Sequence, residues 1–320
     1  MSESSKHVIV IGYAPYLKTF AVLDRVPILP CYLTEFYSAG VIGLQTAINL
    51  LQTKYDVTVI GEYMPGDTDV DYTSPWDSPS HPELTPNGID SLWWRDIVSG
   101  FAPLPTSSLP PNVGAGIYFS SFTVNPPVYI EYLRSQVLAL GGRVQRLVLP
   151  VSGGLLGALS ALLQNKEATL AKGVHAFVNA TGMGARTLVP DERVFPTRGQ
   201  TLVVRGVADR ARTRVGDWGI SYVIPRSGGL GEEGSTILGG CKEARNWNKN
   251  VDDAFSKVIM ERCKVLAPEL LNGKGEFEVL SSQVGFRPSR EGGPRVELEE
   301  VIVENQKIPV VHSYGHAGAG

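Results

Sequence analysis

A glycine pattern near the start of the chain has the residue types and spacing that bind the phosphates of a dinucleotide. The pattern is Gly-x-Gly-x-x-Gly, split by an interruption, and comprises Gly12, Ala39, Gly40, Val41, Ile42 and Gly43. In such a turn the first glycine permits a tight bend, and the second admits backbone N–H groups to a pyrophosphate. The third lets the following helix pack on the strand, with its N-terminus facing the phosphate charge.

The elements around this pattern are those that a dinucleotide site needs. A β-branched run at 8–11 precedes Gly12, and apolar residues at helical spacing follow Gly43 over 44–51. A second buried strand over 56–61 leads to Glu62, about twenty residues after Gly43. A carboxylate at that distance suits a ribose 2′-hydroxyl and repels a 2′-phosphate. We therefore predict a strand–helix–strand unit that binds a dinucleotide.

The segment between Gly12 and Ala39 is an anomalous insertion in this unit. Excising residues 13–38 restores the unbroken sequence Val-Ile-Val-Ile-Gly-Ala-Gly-Val-Ile-Gly. Codons available for this segment can also encode an intron donor site after the first two bases of the Gly12 codon, a branch site, and an acceptor site that ends before the last base of the Ser38 codon. We interpret Tyr13 to Ser38 as a translated intron, which would replace the phosphate-binding turn and separate the strand from its helix.

Composition limits the class of protein. The 320 residues are 43% hydrophobic and have a net charge of −3, so they can form a sizeable core and do not indicate a nucleic-acid or membrane partner. The three cysteines lack Cys-x-x-Cys spacing and indicate neither a disulfide framework nor a metal site. We see no apolar leader and no uninterrupted apolar run of about 20 residues, so we expect a soluble intracellular protein.

The rest of the chain divides into a loop-like part and a strand-rich part. Residues 66–111 are rich in Pro, Ser, Asp and Gly and predict a loop. Two prolines after Asn125 predict the start of a helix, and a strand is predicted over 143–149. The short strands that follow are separated by glycine turns and favour a mixed or antiparallel sheet; they cover 201–205, 221–225 and 235–238.

The last third of the chain predicts one helix and a final turn. Asp252 or Asp253 is expected to cap a helix whose apolar stripe includes Ile259 and Cys263, so we predict Cys263 in the core. The sequence closes at 310–320 with a strand and a glycine turn, which we interpret as an incomplete motif.

Several short motifs are distributed through most of the chain. Besides the glycine pattern they are Asn-Ala-Thr-Gly at 179–182, Arg-Gly-Gln at 198–200, Ser-Tyr-Val-Ile-Pro at 221–225, Leu-Gly-Gly at 238–240, Gly-Phe-Arg-Pro-Ser-Arg at 285–290 and His-Ser-Tyr-Gly-His at 312–316. In this combination the chain resembles the D-amino-acid oxidase and D-aspartate oxidase family. The segments 285–290 and 314–320 are the most specific, because the glycine pattern alone occurs in many flavin and nicotinamide enzymes.

The resemblance implies an α/β fold in which a Rossmann-like FAD-binding domain is interleaved with a strand-rich, mixed-sheet substrate domain. The FAD-binding domain would comprise 1–76, 142–197 and 281–320. The substrate domain would comprise 77–141 and 198–280, shortened near 77–91. The implied reaction is FAD-dependent oxidative deamination of D-amino acids by O₂ to 2-oxo acids, ammonia and hydrogen peroxide. A peroxisomal location, with the cytoplasm as alternative, and a homodimer are also implied.

The resemblance assigns three residues to the substrate. Arg287 matches the arginine that binds the substrate carboxylate, and its planar fork suits bidentate capture. Tyr222 matches the tyrosine whose hydroxyl helps to hold that carboxylate. Lys242 follows Leu-Gly-Gly, where some relatives have a second tyrosine, and could pair with the side chain of D-aspartate. The structural alternatives are a surface arginine, a packing tyrosine and a solvated lysine beside Glu243. We expect Arg287 to lie where a strand ends.

The resemblance also implies a set of FAD contacts. They are Gly12, Ala39, Gly40, Val41, Ile42, Gly43, Glu62, Thr73, Ser74, Val148, Gly182, Gly184, Gly315, His316, Ala317 and Gly318. The chain departs from the family pattern at 13–38, after Trp76 and at its end. These departures leave three alternatives open: a D-aspartate oxidase, a catalytically dead product with a disrupted FAD site, and a nicotinamide dehydrogenase that shares only the glycine pattern.

Overall fold

The computed structural model describes residues 6–12, 41–61, 64–65, 92, 95–110, 113–164, 174, 176–216, 219–228 and 233–317. Within these ranges the chain is built on two large sheets, a six-stranded sheet that is mostly parallel and an antiparallel sheet. The insertion at 13–38 and its interpretation as an intron fall outside the described residues.

The first sheet contains the predicted strand–helix–strand unit. β1 (Lys6–Gly12) pairs in parallel with β2 (Tyr55–Gly61), and α1 (Val41–Gln52) lies between them in sequence. The apolar residues of α1 recur at helical spacing, so Leu44 and Ala47 are completely buried in the core of this sheet. These strands and this helix are therefore confirmed.

Three further strands run parallel to β1 and β2. β5 (Arg143–Arg146) pairs with β2, β6 (Phe177–Ala180) with β1, and β14 (Gln306–Tyr314) with β6. β13 (Arg295–Val303) is the antiparallel neighbour of β14, so the strand order is β13-β14-β6-β1-β2-β5. The carboxyl ends of the parallel strands lie at one edge, which we call the cofactor edge.

Two longer helices pack in the core of this sheet. α2 (Pro126–Ala139) begins after Asn125, as predicted, and α3 (Gly154–Gln164) precedes β6. The Asn125 amide does not cap its own helix but donates to the Ser227 carbonyl at 2.8 Å. The resemblance assigned 77–141, which includes α2, to the substrate domain. Because α2 buries Leu133 in the core of the first sheet, its packing favours placing α2 with the dinucleotide unit instead. The division into domains stays a prediction.

The second sheet is antiparallel throughout. β12 lies on one side of β7, and β10 and β11 lie on the other. Its strands are β7 (Val194–Arg205), β8 (Arg212–Gly216), β9 (Gly219–Arg226), β10 (Ser235–Gly239), β11 (Glu243–Ala244) and β12 (Val279–Arg290). The smaller elements are β3 (Ala102–Pro103), β4 (Ile117–Tyr118), α4 (Ala185–Leu188) and the 3₁₀ turns Thr106–Ser108, Gly182–Gly184 and Pro268–Leu270.

α5 (Asp253–Lys264) covers one face of the second sheet. The Asp252 carboxylate accepts a hydrogen bond from the Phe255 amide, so Asp252 is the predicted N-cap. Ile259 and Cys263 pack in the core under this helix, and the predicted core position of Cys263 is confirmed. Burial raises the pKa of the Cys263 thiol to about 12.

The structure differs from the sequence prediction at several elements. β5 ends at Arg146 rather than at Leu149, and α3 was not predicted because glycines at its start weaken the helical pattern. Arg287 does not lie at a strand end, because β12 continues to pair with β7 as far as Arg290. The expected loop at 66–111 lies largely outside the described residues.

Candidate functional site

The cofactor edge brings together several residues that the resemblance assigned to FAD. Gly12 ends β1 and is paired with Ala180, the last residue of β6. A 3₁₀ turn, Gly182–Gly184, follows β6, and a second turn at 315–317 follows β14. An edge of this kind, where parallel strands end beside a helix N-terminus, binds dinucleotides in open α/β sheets. The described part of the edge therefore fits a dinucleotide.

The remaining FAD assignments divide into placed and unplaced residues. Val41, Ile42 and Gly43 form the buried first turn of α1. Val148 follows β5 and is 62% exposed. The assigned residues outside the described ranges are Ala39, Gly40, Glu62, Thr73, Ser74 and Gly318.

The two turns at the cofactor edge need left-handed backbone. Gly182 has φ +54° and Gly315 has φ +82°, conformations that glycine adopts without steric cost. A Cβ added at Gly315 would also lie 2.7 Å from the Cβ of Arg290. Gly184 has φ −61°, so its backbone does not require glycine. The left-handed backbone therefore favours glycine over other residues at positions 182 and 315.

His316 lies in the second of these turns. Its Nε2 is 3.4 Å from the Ser313 Oγ, and its backbone forms an isolated β-bridge with Ser289 of β12. Burial lowers the pKa of His316, which favours the neutral imidazole.

Arg287 and Tyr222 project to the same face of the antiparallel sheet. Tyr222 is paired with Gly239, and Gly239 with Thr201. Thr201 is paired in turn with Gln283 of β12. Paired residues of antiparallel strands share a face, and so do alternate residues along one strand. Gln283 and Arg287 are an even number of positions apart, so Arg287 shares the face of Tyr222. The two side chains are 9% and 2% exposed.

Glycines form the floor of this face. A Cβ added at Gly199 would lie 2.6 Å from the Arg287 Nη1, so the guanidinium lies directly over the Gly199 backbone. A Cβ at Gly240 would lie 2.6 Å from the Tyr222 Cε1, and one at Gly239 would collide with the same ring. We call the region formed by Gly199, Gly239, Gly240, Tyr222 and Arg287 the glycine face.

The end of β12 connects the glycine face to the cofactor edge. The Pro288 carbonyl, next to Arg287, accepts a hydrogen bond from the Ala317 amide at 2.9 Å. Ala317 has φ +54° and belongs to the turn that follows β14. The strand that carries Arg287 therefore contacts one of the turns assigned to FAD.

A buried ion pair strengthens this connection. The Arg290 Nε lies 2.7 Å from the Asp191 Oδ2, and both side chains are almost completely buried. The Tyr314 hydroxyl donates to the same carboxylate oxygen at 2.9 Å. Burial raises the pKa of Tyr314 to about 12, so the phenol keeps the proton that it donates.

The opposite face of the second sheet, which we call the reverse face, contains a network to which the sequence assigned no role. The Arg198 guanidinium donates from Nε to the Asn248 carbonyl and from Nη2 to the Asn250 carbonyl, each at 2.8 Å. Its Nη1 lies 3.0 Å from the Glu243 carboxylate. Gln200 adds a bond from Nε2 to the Ser256 Oγ at 2.9 Å. Arg198 and Gln200 thus tie segment 243–256 to β7.

Cys241 and Lys242 lie in sequence between Gly240 of the glycine face and Glu243 of the reverse-face network. The Cys241 Sγ accepts a hydrogen bond from the Gln200 amide at 3.2 Å, and burial raises the pKa of its thiol. Lys242 is exposed and immediately precedes β11. The structure therefore brings Arg287 and Tyr222 together and places Lys242 at the surface.

Two classes of site are not observed in the described part of the chain. It contains no group of three or more His, Cys, Asp or Glu side chains that could hold a metal ion. Over the same residues, no helix combines the length and the apolar character needed to cross a membrane.

Solved structures share the fold. Glycine oxidase from Bacillus cereus has a TM-score of 0.55 and 14% identity, and the match covers 88% of this chain and 91% of that one. L-Proline dehydrogenase from P. horikoshii has a TM-score of 0.56 and 11% identity, with 99% and 89% covered. These matches confirm the predicted α/β fold.

Sequence comparison identifies the family. The D-amino-acid oxidase of Schizosaccharomyces pombe is 30% identical over an alignment of 330 positions, gaps included. The alignment covers 88% of this chain and 90% of the relative. That of Rubrobacter xylanophilus is 34% identical over 230 residues, covering 71% and 62%. The model of the DAO family, described as FAD dependent oxidoreductase, matches residues 81–320. The chain therefore belongs to the DAO family of FAD-dependent oxidoreductases.

Proposed function

We propose that this protein catalyses the oxidative deamination of D-amino acids with FAD as cofactor. The observation that carries the proposal is the buried guanidinium of Arg287, which lies over Gly199 on the face of Tyr222 and next to a turn of the cofactor edge. A planar guanidinium suits bidentate binding of an α-carboxylate. The D-amino-acid oxidases among the relatives support the substrate class.

FAD is assigned to the cofactor edge. The N-terminus of α1 suits its pyrophosphate, and the left-handed turns at Gly182 and Gly315 let the backbone approach a ligand closely. The residues proposed to hold it among those described are Gly12, Val41, Ile42, Gly43, Val148, Gly182, Gly184, Gly315, His316 and Ala317. When bound, FAD would supply the two-electron oxidation of the substrate, with O₂ as the final electron acceptor and hydrogen peroxide as its product.

The protein's own side chains bind and orient the substrate. Arg287 holds the α-carboxylate, and the Tyr222 hydroxyl donates a hydrogen bond to the same group. Two contacts to one carboxylate fix its position and plane, which places the substrate Cα; positioning of this kind is the main contribution a protein makes in flavin chemistry. Burial of both side chains excludes water from the carboxylate and strengthens these bonds. The imino acid product hydrolyses to a 2-oxo acid and ammonia.

D-Aspartate is a second candidate substrate. The side chain of Glu243 turns to Arg198 on the reverse face. Neighbouring side chains of an extended chain point to opposite faces, so Lys242 is expected on the side of the glycine face. An ammonium group there would pair with a second substrate carboxylate. Neutral D-amino acids remain the leading substrates, because Lys242 is exposed and exposed charge pairs contribute little.

The resemblance leads to three further proposals, on location, assembly and domain division. A peroxisomal location suits an enzyme that releases hydrogen peroxide, with the cytoplasm as alternative, and a homodimer is the proposed assembly. Fractionation of cells and light scattering of the purified protein test them. The FAD-binding domain is proposed to comprise 1–76, 142–197 and 281–320, and the substrate domain is proposed to centre on 198–280.

The proposal is tested on the purified chain and on a variant that lacks residues 13–38. We expect the deletion variant to be yellow, because it has the unbroken glycine pattern, and to produce hydrogen peroxide from D-alanine but not from L-alanine. If the full-length chain binds FAD as tightly as the deletion variant, the intron interpretation is wrong. A yellow protein that oxidises no D-amino acid contradicts the proposed function, and a folded but colourless one supports the catalytically dead alternative.

A further inference from the structure

A buried chain of hydrogen bonds runs from the turn after β6 to a histidine on β14. The Oδ1 atom of Asn179 accepts from the Thr181 amide at 3.2 Å and from the Thr181 Oγ1 at 2.7 Å. The Nδ2 atom of Asn179 lies 3.1 Å from the Nδ1 atom of His312. The Nε2 atom of His312 lies 3.0 Å from the Glu299 Oε2. Both Asn179 and His312 are completely buried.

These contacts determine where the imidazole proton lies. Because the Oδ1 of Asn179 accepts two bonds from Thr181, its amide presents the donor Nδ2 to His312. The Nδ1 of His312 must then accept, so the proton is on Nε2, from which it is donated to Glu299. An imidazolium would place an Nδ1–H against the Nδ2 of Asn179, donor against donor. The network therefore requires neutral His312.

The charged groups around His312 come from two strands. β13 presents Arg295, Glu297 and Glu299, and β14 itself presents Tyr314, whose ring centroid is 5.8 Å away. β6 contributes no titratable side chain between Phe177 and Ala180. Burial and then Arg295 lower the pKa of His312 to about 4, against the opposing effect of the two glutamates. His312 is thus neutral at physiological pH.

We propose that His312 is a positioning residue for FAD, because its neutral imidazole holds Asn179 and Asn179 holds the turn that leads into Gly182. That turn begins at Ala180, which is paired with Gly12, so it lies beside the first glycine of the dinucleotide pattern. The inference rests on the proposed FAD site and gives a role to two residues outside the proposed FAD contacts. FAD retention is complete while His312 is neutral and falls as the pH decreases through the pKa of the imidazole.

Three variants separate this role from simple packing. His312→Asn retains an oxygen acceptor near the position of Nδ1 but does not titrate. His312→Leu keeps the volume and removes the acceptor. Asn179→Asp presents a carboxylate oxygen to the imidazole, which stabilises the imidazolium and raises the pKa of His312.

The readout is FAD retained on the holoprotein after ultrafiltration at different pH values, with circular dichroism to verify folding. We expect wild type to release FAD with a midpoint near pH 4 and Asn179→Asp to release it about one pH unit higher or more. His312→Asn should show no release step there, and His312→Leu should bind FAD about tenfold more weakly at pH 7. Equal midpoints in wild type and His312→Asn would overturn the proposal.

Nuclear magnetic resonance of ¹⁵N-labelled histidine separates failure of this inference from failure of the FAD site. At pH 7 we expect the neutral Nε2–H tautomer of His312, with or without FAD. An Nδ1–H tautomer or an imidazolium would overturn the hydrogen-bond assignment even in a protein that binds FAD. A neutral Nε2–H tautomer in a protein that binds no FAD would refute the cofactor role and leave the hydrogen-bond chain intact.

Discussion

Two buried arginines lie on opposite faces of one antiparallel sheet and differ in what their guanidinium groups contact. Arg198 of β7 is paired in register with Phe286, the neighbour of Arg287 on β12. On the reverse face, Arg198 donates to two loop carbonyls and pairs with Glu243. On the glycine face, Arg287 lies over the bare backbone of Gly199. Burial alone therefore does not distinguish a structural arginine from one that is proposed to bind a ligand.

The largest effect on stability is expected on the reverse face. Arg198→Met removes the donor to the Asn248 and Asn250 carbonyls and the ion pair with Glu243, so the free energy of unfolding should fall by about 3 to 5 kcal/mol. Urea unfolding measures it. The control is Arg205→Met on the same strand, where an exposed arginine pairs with exposed glutamates and the stability should hardly change. Equal losses in the two variants would remove the contrast between the faces.

Gly199→Ala tests the floor of the glycine face. The new Cβ displaces the end of a flexible arginine, so we expect unchanged folding stability but a KM for D-alanine about tenfold higher, equivalent to about 1.4 kcal/mol. Gly273→Ala is the control, because a Cβ there meets no atom within 4 Å. An unchanged KM would show that the guanidinium position over Gly199 does not matter for the substrate.

Tyr222→Phe should have a smaller effect. It removes one hydroxyl from a ring that stays packed over Gly239 and Gly240, so transition-state stabilisation should decrease by about 0.5 to 1.5 kcal/mol with no loss of FAD. Steady-state kinetics with D-alanine gives this value as the change in kcat/KM. A loss as large as the roughly 2 to 5 kcal/mol that is expected for Arg287→Ala would mean that the hydroxyl does more than share in binding the carboxylate.

Lys242→Met should have the smallest effect and addresses specificity alone. If Lys242 pairs with a second carboxylate, kcat/KM for D-aspartate should decrease relative to D-alanine by up to about fivefold, since an exposed ion pair contributes about 1 kcal/mol or less. Measuring both substrates on both proteins gives the ratio. A constant ratio would exclude Lys242 from substrate selection.

Much of the fold was predictable because its signals are local. The strand–helix–strand unit, the Asp252 cap and the core position of Cys263 all follow from short-range patterns, and the structure confirms them. The points at which strands end were harder to predict from the sequence. β12 extends past Arg287 because it pairs with β7, a contact between segments far apart in sequence.

The site was predictable only in part for the same reason. The resemblance named Arg287 and Tyr222, but their common face depends on the register of four strands, which no local pattern encodes. The role of Arg198 depends on carbonyl groups of a loop and leaves no trace in residue type. His312 belonged to a recognised motif, but its proton position became clear only from the contacts of Asn179.

The central claim is that Arg287 on the glycine face binds the carboxylate of the substrate. The most direct test mixes FAD-loaded protein with D-alanine without oxygen and follows the loss of flavin absorbance as the substrate concentration is varied. We predict that Arg287→Ala keeps its FAD but that the D-alanine concentration for half-maximal reduction rises at least roughly 30-fold. The reason is that losing a charge-assisted contact costs about 2 to 5 kcal/mol. Arg205→Ala, at an exposed position of β7, should match wild type. Reduction of Arg287→Ala at the wild-type D-alanine concentration would contradict the claim.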